Sequence, residues 1–288
     1  MTLSLVISLL ALALVRGTPI LLASLGGVLS ERAGIVNIAL EGEMTAGAFA
    51  AALISYFTRD PWIGAIGGVA VGAGVGFALG FAATRWRVDQ IVAGMGINLI
   101  CTGGAAFGLI FVFNQAGVTP QVPAINQALW PMVILGIVLA AVLQWAIART
   151  PIGLRLRACG ENPHAARSAG IDPLAVRLYA STIAGALAGL GGVFLALGEL
   201  NLYSDGMIAG RGFIALAAVI FGRWTPLGAA GVALIFGLLE ALQFALQGNV
   251  AWLPSDFLQA LPYIAALLAL LGASGRYRPP AAEGKPYP

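Results

Sequence analysis

The side chains of this sequence that can bind or pass a polar molecule stand where such groups are costly. Asn37, Glu41 and Glu43 fall in or beside one long apolar stretch, Asn98 in another, and Glu240 with Gln243 in a third. Glu199, Asn201, Asp205 and Arg211 gather between two further stretches. Ionisable groups inside segments of membrane-spanning length generally face a cavity, a pathway or a partner helix. Together these residues offer donors and acceptors suited to a solute with hydroxyls or ring nitrogens, and Tyr203 or Trp252 could stack a flat ring at the mouth. The competing reading of each is pairing between helices, because buried charges find partners whether or not a solute passes.

Catalysis and metal binding are not indicated. His164 is the single histidine and no second ligand stands at helical spacing from it, so a metal site is not expected. A phosphate-cradling loop needs Gly-x-x-x-x-Gly-Lys-Ser/Thr, and the single lysine, Lys285, is followed by Pro286. ATP hydrolysis by that route is excluded, so any energy must come from a partner or an ion gradient. Cys101 in an apolar segment and Cys159 in a basic loop lie at different depths and read as inert thiols. The net charge of +3 is too small to suggest nucleic acid.

The elements that must position these residues are helices in a bilayer. Of the 288 residues, 59% are hydrophobic and 9% charged, against about 25% charged in a soluble domain. Val133 to Ala148 is apolar on consecutive positions apart from Gln144, which excludes the alternation of a membrane barrel. Apolar segments fall at about 3–29, 36–57, 62–84, 91–113, 130–148, 174–198, 213–222, 227–247 and 257–273, each judged against the ~20 residues that cross a bilayer. The seventh is too short to cross and reads as a half-helix buried in protein. The expectation is an all-α polytopic membrane protein of about eight full spans and one half-helix. Leu3 to Val15 resembles the apolar part of a secretory signal, but no basic residue precedes it and no cleavage pattern follows, so it is expected in the mature chain.

Basic residues orient the chain, because Lys and Arg are retained on the cytoplasmic side. With the N-terminus outside, Arg32, Arg85, Arg87, Arg149, Arg155, Arg157, Arg167, Arg177, Arg223, Arg276, Arg278 and Lys285 are cytoplasmic. The external side keeps Arg59 and Arg211, together with the uncharged loop from Asn114 to Leu129. Arg16 fits neither side and is expected to snorkel or to mark a break before Thr18-Pro19. Residues 1–275 then form a single membrane domain, with a cytoplasmic loop at 149–177. The Pro-rich end, 276–288, reads as a disordered cytoplasmic tail. Glycines at 64, 68, 72, 76 and 80 line one helix face for close packing. Pro61-Trp62-Ile63-Gly64-Ala65 and Pro226-Leu227-Gly228-Ala229 open two Gly-rich spans, an echo that either reflects an inverted repeat or arises by chance.

The 149–177 loop can be read residue by residue. Asn162 caps a helix, Pro163 takes its first position, and Gly170 stops it in a left-handed turn. Ile171 then folds back on the last turn, and Asp172-Pro173 repeats the start for the next span. Two turns of helix are unstable alone and need a surface to pack on. A membrane interface or a partner protein would serve, and the small Ala165 and Ala166 permit close docking.

At this point the residues carry a family resemblance. The string from Arg157 through Gly160, Glu161, Asn162, Pro163, Ala165, Ala166 and Arg167 to Gly170 and Ile171 resembles the coupling loop of ATP-driven importer permeases serving branched-chain amino acids, ribose-type sugars and nucleosides. Ser30 to Glu43 resembles the second-helix signature of the nucleoside and simple-sugar branch, and Gly210 to Pro226 resembles its late short helix. Glu43 departs from the pattern, where an apolar residue is expected. The resemblance implies a bacterial cytoplasmic (inner) membrane location and a path for a nucleoside or simple sugar. It further implies a cytoplasmic ATP-binding subunit that binds the ATP and Mg, with no cofactor in this chain. A second permease subunit forming a heterodimer, an external solute-binding protein or lipoprotein, and surrounding lipid complete the implied assembly. Branched-chain amino acid uptake is the alternative within the family. An ion-driven secondary transporter and a purely structural membrane subunit are the alternatives outside it.

Overall fold

The computed structural model describes residues 3–123, 125, 129–247, 260, 263–264 and 278–287. The described residues are helical throughout, apart from loops and one isolated antiparallel bridge between Val118 and Ser204. The order is α1 (Leu3–Arg32), α2 (Leu40–Thr58), α3 (Pro61–Thr84), α4 (Gln90–Phe113), α5 (Leu129–Arg149), α6 (Pro151–Glu161), α7 (Pro163–Ser168), α8 (Pro173–Val193), α9 (Arg211–Phe221) and α10 (Pro226–Gln247). α8 runs on through a π-helical stretch, Phe194–Leu200. Six of these helices are long and apolar enough to cross a membrane: α1, α3, α4, α5, α8 with its π-helical extension, and α10. α9 is the expected short apolar helix. The expected segment at 257–273 lies outside the described residues apart from Ala260, Tyr263 and Ile264, as does Trp252.

One local device starts four of these helices. Asp60, Thr150, Asn162 and Asp172 each accept a hydrogen bond from a backbone N–H of the first turn, with Pro at the first helical position. The side chain satisfies an orphan donor and the proline brings its φ already set. Asp89 caps α4 without a proline. Arg59 and Asn114 close α2 and α4 in the left-handed region, at φ 58° and 55°.

The α3 glycines are where backbones meet. A Cβ on Gly72 would lie 2.5 Å from the Gly185 carbonyl oxygen and 2.7 Å from Gly189 Cα, and one on Gly68 would lie 2.6 Å from Gly47 O. α3 therefore seats directly on α8 and α2, by the close approach that replaces a hydrophobic drive between helices in lipid. α1 runs through the centre of the bundle against α10, α8 and α9, with Ile20, Leu21, Leu22 and Leu25 fully buried. It passes Pro19 without interruption, so the expected break before Thr18-Pro19 is absent.

The uncharged loop after α4 lies over the π-helical stretch. Thr119, Val122 and Ile125 donate their N–H groups to the carbonyls of Tyr203, Asn201 and Leu197, each at 2.9 Å. Leu197 lies within the π-helical stretch, Asn201 caps it and Tyr203 follows, so the loop is bonded along the end of that stretch.

The chain end differs from its expectation. Rather than a disordered tail, residues 278–287 pack on the 149–177 loop and on the adjoining ends of α1 and α8. Ala282 N–H donates to Gly160 O (2.8 Å), Gly284 N–H donates to Gly34 O (3.3 Å), and Tyr287 is buried against the His164 ring. Arg177, counted among the loop charges, is buried, and its guanidinium holds the carbonyls of Ala33, Ala282 and Lys285 at 3.0–3.1 Å. Gly34, at φ 99°, leaves room for that guanidinium: a Cβ there would meet Arg177 Nη2 at 2.6 Å.

Candidate functional site

The site is assembled at two helix breaks. Between α1 and α2 the chain turns through Asn37, whose Oδ1 accepts from Ala39 N–H (3.1 Å) and whose Nδ2 donates to both oxygens of Glu43 (3.2 Å). Asn98 of α4 braces the same turn, accepting from Gly42 N–H (2.7 Å) and donating to Ile38 O (2.9 Å). Asn37 and Glu43 are fully buried. These three residues hold the start of α2 in place.

Glu41 reaches from α2 to the start of α9. Its two oxygens accept the N–H groups of Gly210 (2.8 Å) and Gly212 (2.7 Å), so the carboxylate occupies the anion-attracting N-terminus of the half-helix. Gly212 is required there, because a Cβ would lie 2.5 Å from Glu41 Cα. Arg211, the first residue of α9 and set between these two glycines, pairs with Glu240 of α10 at 3.0 Å. Arg16 of α1 pairs with Glu199 at 2.7 Å and lies over the Phe244 ring, 4.6 Å from its centroid. It neither snorkels nor breaks its helix.

A groove of about 180 Å³ opens beside the Arg211–Glu240 pair, lined by Ala209, Arg211, Ile214, Glu240, Gln243, Phe244 and Tyr263, and the Arg16 guanidinium approaches it over the Phe244 ring. Tyr263 closes one side by donating its hydroxyl to Ala209 O. The ion pairs are neutralised but not saturated. Arg16 Nε, Glu199 Oε1 and Arg211 Nε are buried and have no hydrogen-bond partner among the described residues.

Of the residues proposed from sequence for a pathway, Glu240 and Gln243 line the groove, and Glu41 joins it through its bonds to the start of α9. Glu199 joins through Arg16 and Phe244. Asn37, Glu43 and Asn98 form the separate brace described above. Asn201 ends the π-helical stretch at φ 58° and accepts from Val122 through its backbone. Asp205 is exposed and donates its N–H to Gly117 O at 2.7 Å. Tyr203 is not at a mouth: it is buried edge-on to Phe49, with ring centroids 5.3 Å apart. The aromatic residues of the groove are Phe244 and Tyr263, which the sequence alone does not distinguish from lipid-facing ones.

The 149–177 loop folds as α6 and α7. Asn162 Oδ1 accepts from Ala165 N–H (3.0 Å); Gly170, at φ 80°, donates to Arg167 O; and Ile171 donates to Ala166 O, both at 3.0 Å. This pair of bonds is the glycine-terminated helix end, with the chain reversing after Gly170. Gly160 and Glu161 hold the tail, through Gly160 O and a 3.3 Å bond from Ala281 N–H to Glu161 Oε2. Arg157 bonds back to Gly153 O (3.4 Å), and Arg167 faces Asp172 at 3.3 Å on the exposed side. One expectation is corrected. Ala166 does not offer a docking surface to a partner: with Pro163 it is buried against this chain, and the outward face carries His164, Ala165, Arg167 and Ser168. Cys159 is also buried, and burial pushes its thiol up, away from reactivity.

A bundle of apolar helices, six of them long enough to cross a membrane, with ion pairs held between them, is the architecture of a multi-pass membrane protein. The chain belongs to the family described as branched-chain amino acid transport system / permease component, which it matches over residues 9–270. It is 35% identical over 300 residues to the guanosine ABC transporter permease protein NupQ of Bacillus subtilis, covering 95% of this chain and 94% of that one. The nucleoside ABC transporter permease protein NupC of Lactococcus lactis is also 35% identical, over 95% of this chain and 94% of its own. A putative glucose ABC transporter permease protein of Haloferax volcanii is 31% identical, over 80% and 75%. The chain is therefore a permease subunit of an ABC importer, a class whose ATP hydrolysis and solute capture fall to partner subunits.

Proposed function

We propose that this subunit forms the path for an uncharged polar solute, a nucleoside or simple sugar, across the cytoplasmic (inner) membrane. The observation that carries the reading is the neutralisation of the groove. Both cations beside it are paired with carboxylates, Arg211 with Glu240 and Arg16 with Glu199, and the positive end of α9 is filled by Glu41. An anionic or zwitterionic solute would have to break one of these pairs, leaving a buried charge uncompensated. A neutral solute can use the uncharged polar groups that line the groove, the Gln243 amide and the Tyr263 hydroxyl, without that cost. The guanosine and nucleoside permeases named above support the same choice.

Energy enters at α7, the contact for the cytoplasmic ATP-binding subunit. A motor moves membrane helices only through a contact whose free energy differs between its states. The N-terminus is placed outside, and the tail and the α6–α7 region on the cytoplasmic side, from the distribution of basic residues. A second, related permease forms a heterodimer with this chain, and an external solute-binding protein or lipoprotein delivers the solute. The reading is tested by ATP-dependent uptake in proteoliposomes holding the whole assembly, comparing guanosine, glucose, leucine and guanosine monophosphate. Uptake confined to the uncharged solutes is expected. Leucine uptake without nucleoside or sugar uptake would assign the path to the amino acid branch, and uptake driven by a proton gradient without ATP would remove the importer reading.

A further inference from the structure

We propose that the C-terminal segment 278–287 is a second contact for the ATP-binding subunit, forming one composite surface with α7; this rests on reading α7 as the coupling contact. A groove of about 340 Å³ runs between the two, with Glu161, Asn162 and His164 on one wall and Ala281, Lys285 and Pro286 on the other. Ala282 and Tyr287 are buried in its floor, while His164, Lys285 and Pro286 are exposed. The outward face of α7 therefore continues without interruption onto the tail. A partner that covers α7 meets both walls, and the groove admits a protruding loop of that partner between the Glu161 carboxylate and the Lys285 ammonium.

The tail's inner side explains what such a contact accomplishes. α7 is joined covalently to α8. The tail is joined to α1, through Gly284 N–H on Gly34 O and through Glu283, whose carboxyl faces that of Glu31. Glu31 in turn accepts from the Trp224 indole at 2.6 Å. Arg177 ties the same segment to α8 through the Ala282 and Lys285 carbonyls. A displacement applied to the composite surface is thus delivered to α1 and α8 together. α1 carries Arg16 and the extension of α8 carries Glu199, the ion pair beside the groove in the membrane. The chain end that carries little apolar surface is in this way a rigid link from the motor to the path.

The test uses the full assembly with a photoreactive p-benzoylphenylalanine at position 286 or, separately, at position 165, both exposed. Cross-linking to the ATP-binding subunit from both positions is expected. Ending the chain after Pro279 should lower ATP-driven uptake about tenfold, within the usual range of a coupling free energy. Cross-linking from 165 but not from 286 overturns the tail contact and leaves α7 as the coupling element. Cross-linking from neither position removes the coupling reading of α7, and this proposal with it. A truncated chain that inserts, assembles and transports at the full rate likewise overturns it.

Discussion

Glu41 is the residue whose loss should be felt at both ends of the site. Its carboxylate satisfies the N–H groups of Gly210 and Gly212 at 2.8 and 2.7 Å. Glu41→Gln keeps one acceptor and turns the other into a donor, so one of the two N–H groups loses its partner. An unsatisfied buried donor costs about 1–3 kcal/mol, and the lost charge at a helix N-terminus about 0.3–2 kcal/mol. The sum is roughly 1–5 kcal/mol against the present seat of α9. Glu41→Ala removes both acceptors and should cost more, and Glu41→Asp is one methylene too short to hold both glycines. The assay is thermal stability of the purified permease together with solute-stimulated ATP hydrolysis by the assembly. Stability should fall in the order wild type, Gln, Ala, and stimulation should be lost in step. A Glu41→Ala protein of wild-type stability with full stimulation would refute the cap and the site built on it.

Arg177→Met removes the guanidinium that holds the Ala33, Ala282 and Lys285 carbonyls together, so the tail should detach; a spin label at Ala281→Cys, with Cys101 and Cys159 replaced by Ala, should become mobile in that variant. Burial pushes the Glu283 carboxyl up from 4.5 to about 7. The docked tail therefore holds this proton more tightly than a free tail, and docking is strongest below about pH 4.5 and weakens as pH rises to about 7. The same label should loosen over that interval in the wild type and not in Glu283→Gln. Gly72→Leu forces a side chain into the Gly185 carbonyl, an overpacking of at least about 1–3 kcal/mol, and should abolish recovery of folded permease from the membrane. Ala166→Glu places a charge inside this chain, since Ala166 is 3% exposed; it should lower permease yield without any ATP-binding subunit present, and a normal yield would return Ala166 to a partner-facing surface.

What the sequence shows most clearly is what short-range chemistry decides. The start and stop of α7 follow from Asn162, Pro163 and Gly170, all within one loop, and the α3 glycine face follows from a spacing of four. The short α9 is legible because its apolar run is too brief to cross a bilayer. The pairings are not legible, because they join residues far apart in the chain: Arg16 meets Glu199 across 183 positions and Glu41 meets Gly212 across 171. Each polar group was visible as costly, and its partner was not. The inward face of α7 is hidden from the sequence for a related reason. Asn162, Pro163 and Gly170 give its length, but which side lies against the protein depends on its tertiary packing, which includes the tail. That tail has the composition of disorder and is held largely by hydrogen bonds of its backbone N–H and C=O groups, two of them to one buried arginine from α8, contacts that leave no hydrophobic pattern to read.

The claim at the centre of this account is that paired charges make the path selective for uncharged solutes, and Glu240 is where it can be tested within this chain. Glu240→Gln keeps the shape and an acceptor for Arg211 but removes the negative charge beside the groove. The measurement is ATP-dependent guanosine uptake by proteoliposomes holding the whole assembly, with guanosine monophosphate added as competitor. Wild-type uptake should be insensitive to the monophosphate, and uptake by the Glu240→Gln assembly should be inhibited by it, because Arg211 is left free to bind an anion. Equal insensitivity in the two, or inhibition of the wild type, would contradict the claim.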